Sequence, residues 1–243
     1  MAVSSSTDFI SSATTLIEDA RRLLGIHAEE EPLEAHELDT GLRWLTRMLK
    51  VWEADGIGSW ILTEGTLTLV ASTNSYVFGA GGSFTTVPFE ITDARIYRGS
   101  VDVPMTRLSR QEYYALPNKT NTGYPMNWFY DRQRDNGTLY VWPSPDTTAG
   151  TFKFTYRRRI MDLDAGADNF DLPPEWEMAI ANNLAKYLIP VYGRGGTPEA
   201  KQVMDDAITT YQIVRSWDVG SEGGSVFIEN DDYGSGRYNR RYR

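Results

Sequence analysis

Residues 109–143 read SRQEYYALPNKTNTGYPMNWFYDRQRDNGTLYVWP, and the fold turns on how they are understood. Ser109 opens a short helical turn that runs into a loop punctuated by Pro117, Gly123 and Pro125. Two aromatic segments follow, residues 127–131 and 138–142. In Thr138-Leu139-Tyr140-Val141-Trp142 every side chain is β-branched, aromatic or aliphatic, the composition of a strand. Asp135-Asn136-Gly137 supplies the residues of a tight turn, which predicts a β-hairpin over residues 127–142. The stretch reads as scaffold and carries no catalytic group.

Outward from it, alternation persists. Residues 66–70, 75–78, 94–98, 101–105 and 151–156 alternate apolar and polar side chains between Gly- and Asn-containing turns, so residues 57–160 are expected to form a β-rich insertion. Gly79-Ala80-Gly81-Gly82-Ser83 lacks the Lys-Ser/Thr pair and following helix of a phosphate loop and is expected to be a hairpin tip. Upstream the period is helical. Phe9, Ile10, Ala13, Leu16, Ile17, Ala20, Leu23 and Leu24 recur at three- and four-residue spacings, predicting a helix over residues 7–24 capped by Thr7 or Asp8 and ended by Gly25. A second helix is expected over residues 34–54, closed by Asp55-Gly56. Downstream, Asp171 is the expected cap of a helix starting at Pro173 or Pro174, with Trp176, Ala179, Ile180, Leu184, Tyr187, Leu188 and Val191 as its apolar stripe. Thr197-Pro198 opens a fourth, ending at Trp217.

These elements predict an α+β chain. Its parts are an N-terminal helical pair (residues 1–56), the β-rich insertion (57–160), a C-terminal helical pair completing a four-helix unit (161–217) and an extended C-terminal arm (218–243). Gly220, Gly223, Gly224, Gly234 and Gly236 interrupt regular structure in the arm. Its end alternates Arg and Tyr after Glu229-Asn230-Asp231-Asp232, a composition suited to anchoring an interface.

The 243 residues suffice for a sizeable core, and no apolar run reaches the ~18 residues that a membrane-spanning helix needs. The N-terminus MAVSSSTDF has neither the basic nor the apolar region of a signal peptide, so assembly inside a cell is expected. Zero cysteines exclude disulfides, thiol catalysis and cysteine-ligated metal. With 33 acidic and 24 basic side chains the formal charge is -9, which disfavours generic electrostatic binding to nucleic acid. An acidic wall nevertheless suits a conduit, because DNA phosphates would not stick to it.

One resemblance runs through the chain. Leu45-x-x-Met48-Leu49-x-x-Trp52-x-x-Asp55-Gly56 precedes the succession from Pro104 to Tyr113, followed by Leu116-Pro117-Asn118-Lys119, Pro125-x-Asn127-Trp128-Phe129-Tyr130-Asp131 and Gly137-Thr138-Leu139-Tyr140-Val141-Trp142-Pro143. Leu172-Pro173-x-Glu175-Trp176 comes after. In this order the pieces resemble the head-to-tail adaptor proteins of short-tailed bacteriophages, also called tail accessory factors or packaged-DNA stabilisation proteins, over residues 38–193. The resemblance implies a virion protein at the head-tail junction, assembled in the host cytoplasm. Its expected form is a cyclic homo-oligomer, a dodecamer matching the portal, that extends the DNA channel to the tail tube or nozzle and retains packaged DNA without reading its sequence. It also implies, by position alone, a portal-docking arm, here comprising Phe227, Ile228, Tyr233, Arg237, Tyr238, Arg240, Arg241, Tyr242 and Arg243. Arg132, Arg134, Arg157, Arg158 and Arg159 are the candidate subunit or tail contacts.

Chemistry-bearing residues are sparse. His27 and His36 lie among Glu29, Glu30, Glu31, Glu34 and Glu37, but the second histidine of a metalloprotease helix is missing. Glu64, Asp93, Asp102 and Asp131 are the carboxylates from which a glycosidase pair would be drawn. Trp128, Phe129, Tyr130, Tyr140 and Trp142 read as cross-strand core pairs ahead of stacking platforms for bases or sugars. No catalytic, cofactor-binding or metal-ligating residue is assigned, and the expected protein is not an enzyme. The competing readings are a head-tail connector of a long-tailed phage and a virion-associated peptidoglycan hydrolase.

Overall fold

A computed structural model describes residues 11–28, 31–147 and 150–221. The helices begin with α1 (Ala13–Leu23), whose N-terminal amides meet the Ser12 hydroxyl, which accepts from the Thr15 N–H. The start is therefore later than the sequence suggests, Ser12 replaces Thr7 or Asp8 as cap, and Phe9 and Ile10 lie outside the described residues. Gly25, at φ +63, takes the left-handed conformation that ends a helix without a Cβ penalty. In α2 (Ala35–Ala54) a capping box joins Glu34 and Glu37. Burial alone would raise the Glu37 carboxyl, but the Glu34 N–H and the Arg21 guanidinium together hold it below the ordinary carboxylate value.

Between the helical pairs lie β1 (Leu62–Thr68), β2 (Ser75–Phe78), β3 (Glu90–Arg98), β4 (Val101–Pro104), β5 (Thr106–Arg107), the short helix α3 (Arg110–Ala115), β6 (Thr122–Gly123), β7 (Asn127–Arg132), β8 (Gly137–Trp142), β9 (Ser144–Pro145) and β10 (Thr151–Arg157). They form two four-stranded sheets, ordered β1-β10-β3-β4 and β2-β8-β7-β5, and a parallel β6-β9 pair. The two larger sheets share one core. Phe152, Phe154 and Ile96 from the first meet Phe78, Trp128, Leu139 and Val141 from the second, all almost fully buried. Phe154 lies 5.4 Å from Phe78 and 5.2 Å from Phe84, ring centre to ring centre, contacts worth roughly 0.5–1.5 kcal/mol each beyond burial.

The predicted hairpin is present as β7 and β8, with Trp128 opposite Val141 and Phe129 opposite Tyr140. Its turn differs from expectation. Gly137 pairs with Arg132 as a strand residue, and the phenol of Tyr130 occupies the space its Cβ would need, so this glycine serves packing. The other face of the hairpin is covered by α3. Ser109 and Glu112 form a capping box, and Tyr113 is thereby laid 5.5 Å from Phe129 and 4.9 Å from Tyr140. The segment 79–83 is also corrected: β2 pairs with β8, not with β3, so the glycines sit in a crossover between sheets, tied by Gly79 N–H to Phe84 C=O and Ser83 N–H to Val77 C=O.

After the sheets a 3-10 turn, Pro174–Trp176, leads into α4 (Glu177–Val191), and α5 (Pro198–Ser221) follows with the Thr197 hydroxyl accepting from the Ala200 N–H. The stripe expected on α4 understates its burial. Ala181, Asn182, Asn183, Ala185 and Ile189 are buried as well, because α4 touches α1, α2 and α5. Asn183 satisfies its buried amide by donating to Ala179 C=O and, 3.0 Å away, to Ala207 C=O on α5. Residues of all four long helices enter one apolar core, which Ile57, Leu163, Phe170 and Leu172 from the connections complete. Trp176 is its fully buried centre, 5.6 Å from Trp52 and 5.1 Å from Trp60.

Helices and sheets are joined at the exit of β10. Arg158 makes a two-pronged ion pair with Asp171, one prong at 2.7 Å, and its backbone N–H meets Ile61 C=O at 3.0 Å. Asp171 thus clamps Arg158 instead of capping α4, whose approach is led by Pro173. The Asp171 carbonyl also accepts the Trp60 indole N–H. Arg157 donates to Gly56 C=O at 2.8 Å, and Lys50 to Ile160 C=O at 2.8 Å. Helix α5 runs to Ser221, beyond the expected end at Trp217, and within this extra turn buried Asp218 accepts the Gly58 N–H at 2.8 Å.

Two substitutions test this packing. Alanine at Gly41 would gain about 1 kcal/mol of helix propensity, but its Cβ would stand 2.5 Å from Cγ2 of fully buried Ile17. Overpacking of about 1–3 kcal/mol outweighs that gain. Chemical denaturation of Gly41→Ala should therefore show a net loss of stability; a gain would contradict the packing. At the joint, Arg158→Ala should cost about 1–3 kcal/mol by stranding a half-buried carboxylate. Arg158→Lys should not restore it, because an ammonium cannot form the two-pronged pair. A double-mutant cycle with Asp171→Ala should be strongly non-additive, and additive losses would remove the clamp from the account.

Candidate functional site

Arg132, Arg159 and Arg134 from the sequence-nominated set converge with Lys50 on one cleft of about 330 Å³, also lined by Glu53, Phe89 and Gln133. The fold explains the convergence. Lys50 and Glu53 lie on the last turns of α2, Arg132 ends β7, Arg134 lies in the turn to β8, and Arg159 follows β10 beside the Arg158 clamp. The Arg132 guanidinium sits 4.6 Å over the Phe89 ring and donates to Phe89 C=O at 3.0 Å. Arg159 reaches the carbonyl of Arg134 at 3.5 Å. Neither Arg132 nor Arg159 has a carboxylate within ion-pair distance among the described residues. Among the described residues Arg134 pairs only with Asp135, at 3.7 Å with both side chains in solvent.

Below these cations lies a buried carboxylate. Glu53 is 5% exposed, and its Oε2 is 3.5 Å from Lys50 Nζ, while its buried Oε1 has no partner among the described residues. Lys50 also pairs with Asp162 at 2.7 Å. The cleft thus has two guanidinium forks without carboxylate partners among the described residues, above a buried carboxylate whose Oε1 lacks a partner. Such a set can hold a ligand that brings carboxylates together with an N–H donor.

Arg157 and Arg158 do not join this cleft, because both are engaged within the chain at the joint. The nominated arm residues, Phe227, Ile228, Tyr233, Arg237, Tyr238, Arg240, Arg241, Tyr242 and Arg243, lie outside the described residues. Trp128 and Tyr130 face the sheet core, and Phe129 and Tyr140 stack under Tyr113, while Trp142 donates its indole N–H to Asn118 C=O. Burial pushes the Tyr130 phenol up to about 12. Glu64 and Asp93 both turn to Arg95, Asp102 to Lys153 and Asp131 to Arg110, so each candidate carboxylate has a cation of its own chain. His27 is buried and His36 pairs with Glu34 at 3.1 Å. Among the described residues no group of three metal-ligating side chains is assembled, and no helix is long and apolar enough to cross a membrane.

Sequence reasoning missed Lys50 and Glu53 as members of the cleft, and missed two apolar surfaces on the helices. The first is a groove of about 630 Å³ between α1 and the start of α4, lined by Leu16, Leu23, Met178 and Ala181 and edged by Asp19, Arg22 and Glu177. The Glu177 carboxylate accepts both the N–H and the hydroxyl of Ser11 at its rim. The second is on α5, where Ile213 is 62% and Trp217 50% exposed. The i, i+4 spacing that puts Ile213 and Trp217 on one flank was visible in the sequence, where Trp217 was read only as the end of the fourth helix.

The comparisons bear on the whole of this architecture. No curated protein matches the chain. A family model described as SU10 adaptor protein matches residues 11–221, a span that includes the four long helices and both sheets and stops at the last residue of α5. The chain therefore belongs to the SU10 adaptor protein family and is a phage structural adaptor protein.

Proposed function

We propose that this adaptor forms a closed ring between the portal of a filled head and the tail tube or nozzle, extending the DNA channel and helping to retain the packaged genome until ejection. The observation that carries the reading is the family match across the entire described body, helices, joint and sheets together. Ring formation is supported by the two unlike apolar surfaces on the helical part. A head-to-tail ring needs two different faces on each subunit, and the α1/α4 groove and the Ile213/Trp217 flank of α5 offer such a pair. A dodecamer would match a twelvefold portal. The acidic balance of the chain suits a channel through which DNA must slide.

In this reading the parts divide the work. The helical pairs, residues 1–56 and 161–217, make the ring, the sheets within residues 57–160 face the tail, and the residues after α5 dock on the portal. The docking set is Phe227, Ile228, Tyr233 and the Arg/Tyr end from Arg237 to Arg243. No bond is broken in this task; the side chains grip proteins.

The full-length chain is expected to sediment as a monomer in dilute solution and to assemble when isolated portal rings are added. A chain ending at Ser221 keeps all of α5 and should lose portal binding, measured by co-sedimentation. Undiminished binding by the shortened chain would remove the arm from the reading, and stable rings formed without portal would remove the dependence on it.

A further inference from the structure

We propose that the basic cleft is the seat of this chain's own acidic stretch, Glu229-Asn230-Asp231-Asp232. The walls carry the Arg132 and Arg159 guanidiniums without carboxylate partners among the described residues, in a chain whose net charge is -9. The floor carries Glu53, 5% exposed with an unsatisfied Oε1. DNA phosphates accept hydrogen bonds but donate none, so a nucleic acid backbone in the cleft would leave Glu53 unmatched and repelled. A peptide carrying acids and amides matches both sets. Its carboxylates take the guanidinium forks, and the Asn230 carboxamide or a backbone N–H donates to Glu53.

Reach favours the chain's own segment. Helix α5 ends at the joint from which Arg159 enters the cleft: Asp218 accepts the Gly58 N–H, and three residues on the Ile61 carbonyl accepts the Arg158 N–H, next to Arg159. Drawn out, that path from Asp218 to Arg159 is at most roughly 25 Å, and the 3-10 turn Ser59–Ile61 shortens it. Seven residues lie between Ser221 and Glu229, and the eight steps from one to the other span up to roughly 26 Å. Seating the acidic stretch fixes where residues 233–243, with their Arg and Tyr, leave the subunit. The clasp belongs to the free subunit and does not depend on what those residues then grip.

The test uses the full-length Arg159→Lys chain, which keeps the positive charge and supplies an amine. It is treated with a carbodiimide that joins amines to carboxylates in contact, without portal, as an equal mixture of unlabelled and heavy-nitrogen chains. Peptide mapping should find position 159 linked to residues 229–232 within single chains. The yield should fall about fivefold when Arg132→Gln is added or salt is raised, as exposed charge pairs require. Gln133→Lys, exposed on the same rim, gives a second amine should the first variant fold poorly by circular dichroism. Absence of the link from both variants overturns the proposal. So does a link found only between differently labelled chains, which would make the occupant a second copy. Displacement of the link by a short DNA duplex at low salt would reassign the cleft to phosphates and also overturn it.

Discussion

The Arg158–Asp171 clamp is the contact on which the geometry of this adaptor depends. It stands where β10 leaves the sheets and where the chain turns toward α4, so one charge-assisted pair couples the two apolar cores. Around it, Trp60 to Asp171 C=O, Lys50 to Ile160 C=O and Asp218 to Gly58 N–H tie the segments that pass between the cores. Each bond alone contributes about 1 kcal/mol. Together they give the passage between helices and sheets a set of directional contacts that apolar packing cannot supply, since burial has no preferred angle.

That arrangement suits a protein that works by shape. In the ring proposed above, one surface faces upward and another downward, and the joint lies between the helices and the sheets that would carry them. The same joint builds the basic cleft, because Arg159 follows Arg158 and Lys50 sits on the α2 turn that meets Ile160. Charge in the cleft and clamping at the joint are thus neighbours in sequence with separate tasks. Arg157 and Arg158 face inward to carbonyl and carboxylate, and Arg159 faces out.

Much of the fold was legible in the sequence where one period dominated. The alternation in Thr151 to Tyr156 and Thr138 to Trp142 placed β10 and β8, and Ser109 marked the start of α3. Partnership was less legible, since β2 to β8 and the parallel β5 to β7 are long-range pairings that no local signal encodes. Gly137 looked like a turn residue, but its small size is required by Tyr130 across the strand. Asp171 looked like a cap, because a carboxylate ahead of Pro173 has the right spacing, yet Arg158 competes for it with a two-pronged charged bond. The arginine cluster was legible as a run of charge, whereas its division into clamp and cleft required the fold.

The central claim is that the chain acts as a shaped coupling between two larger rings. The most direct measurement is a side-chain-resolution image of the head-tail junction of the virion. The account predicts a ring of this chain seated on the portal, with residues after Ser221 against portal subunits and the sheets turned to the tail. Finding the chain elsewhere in the particle, or its sheets against the portal with the C-terminal residues free of it, would contradict the account.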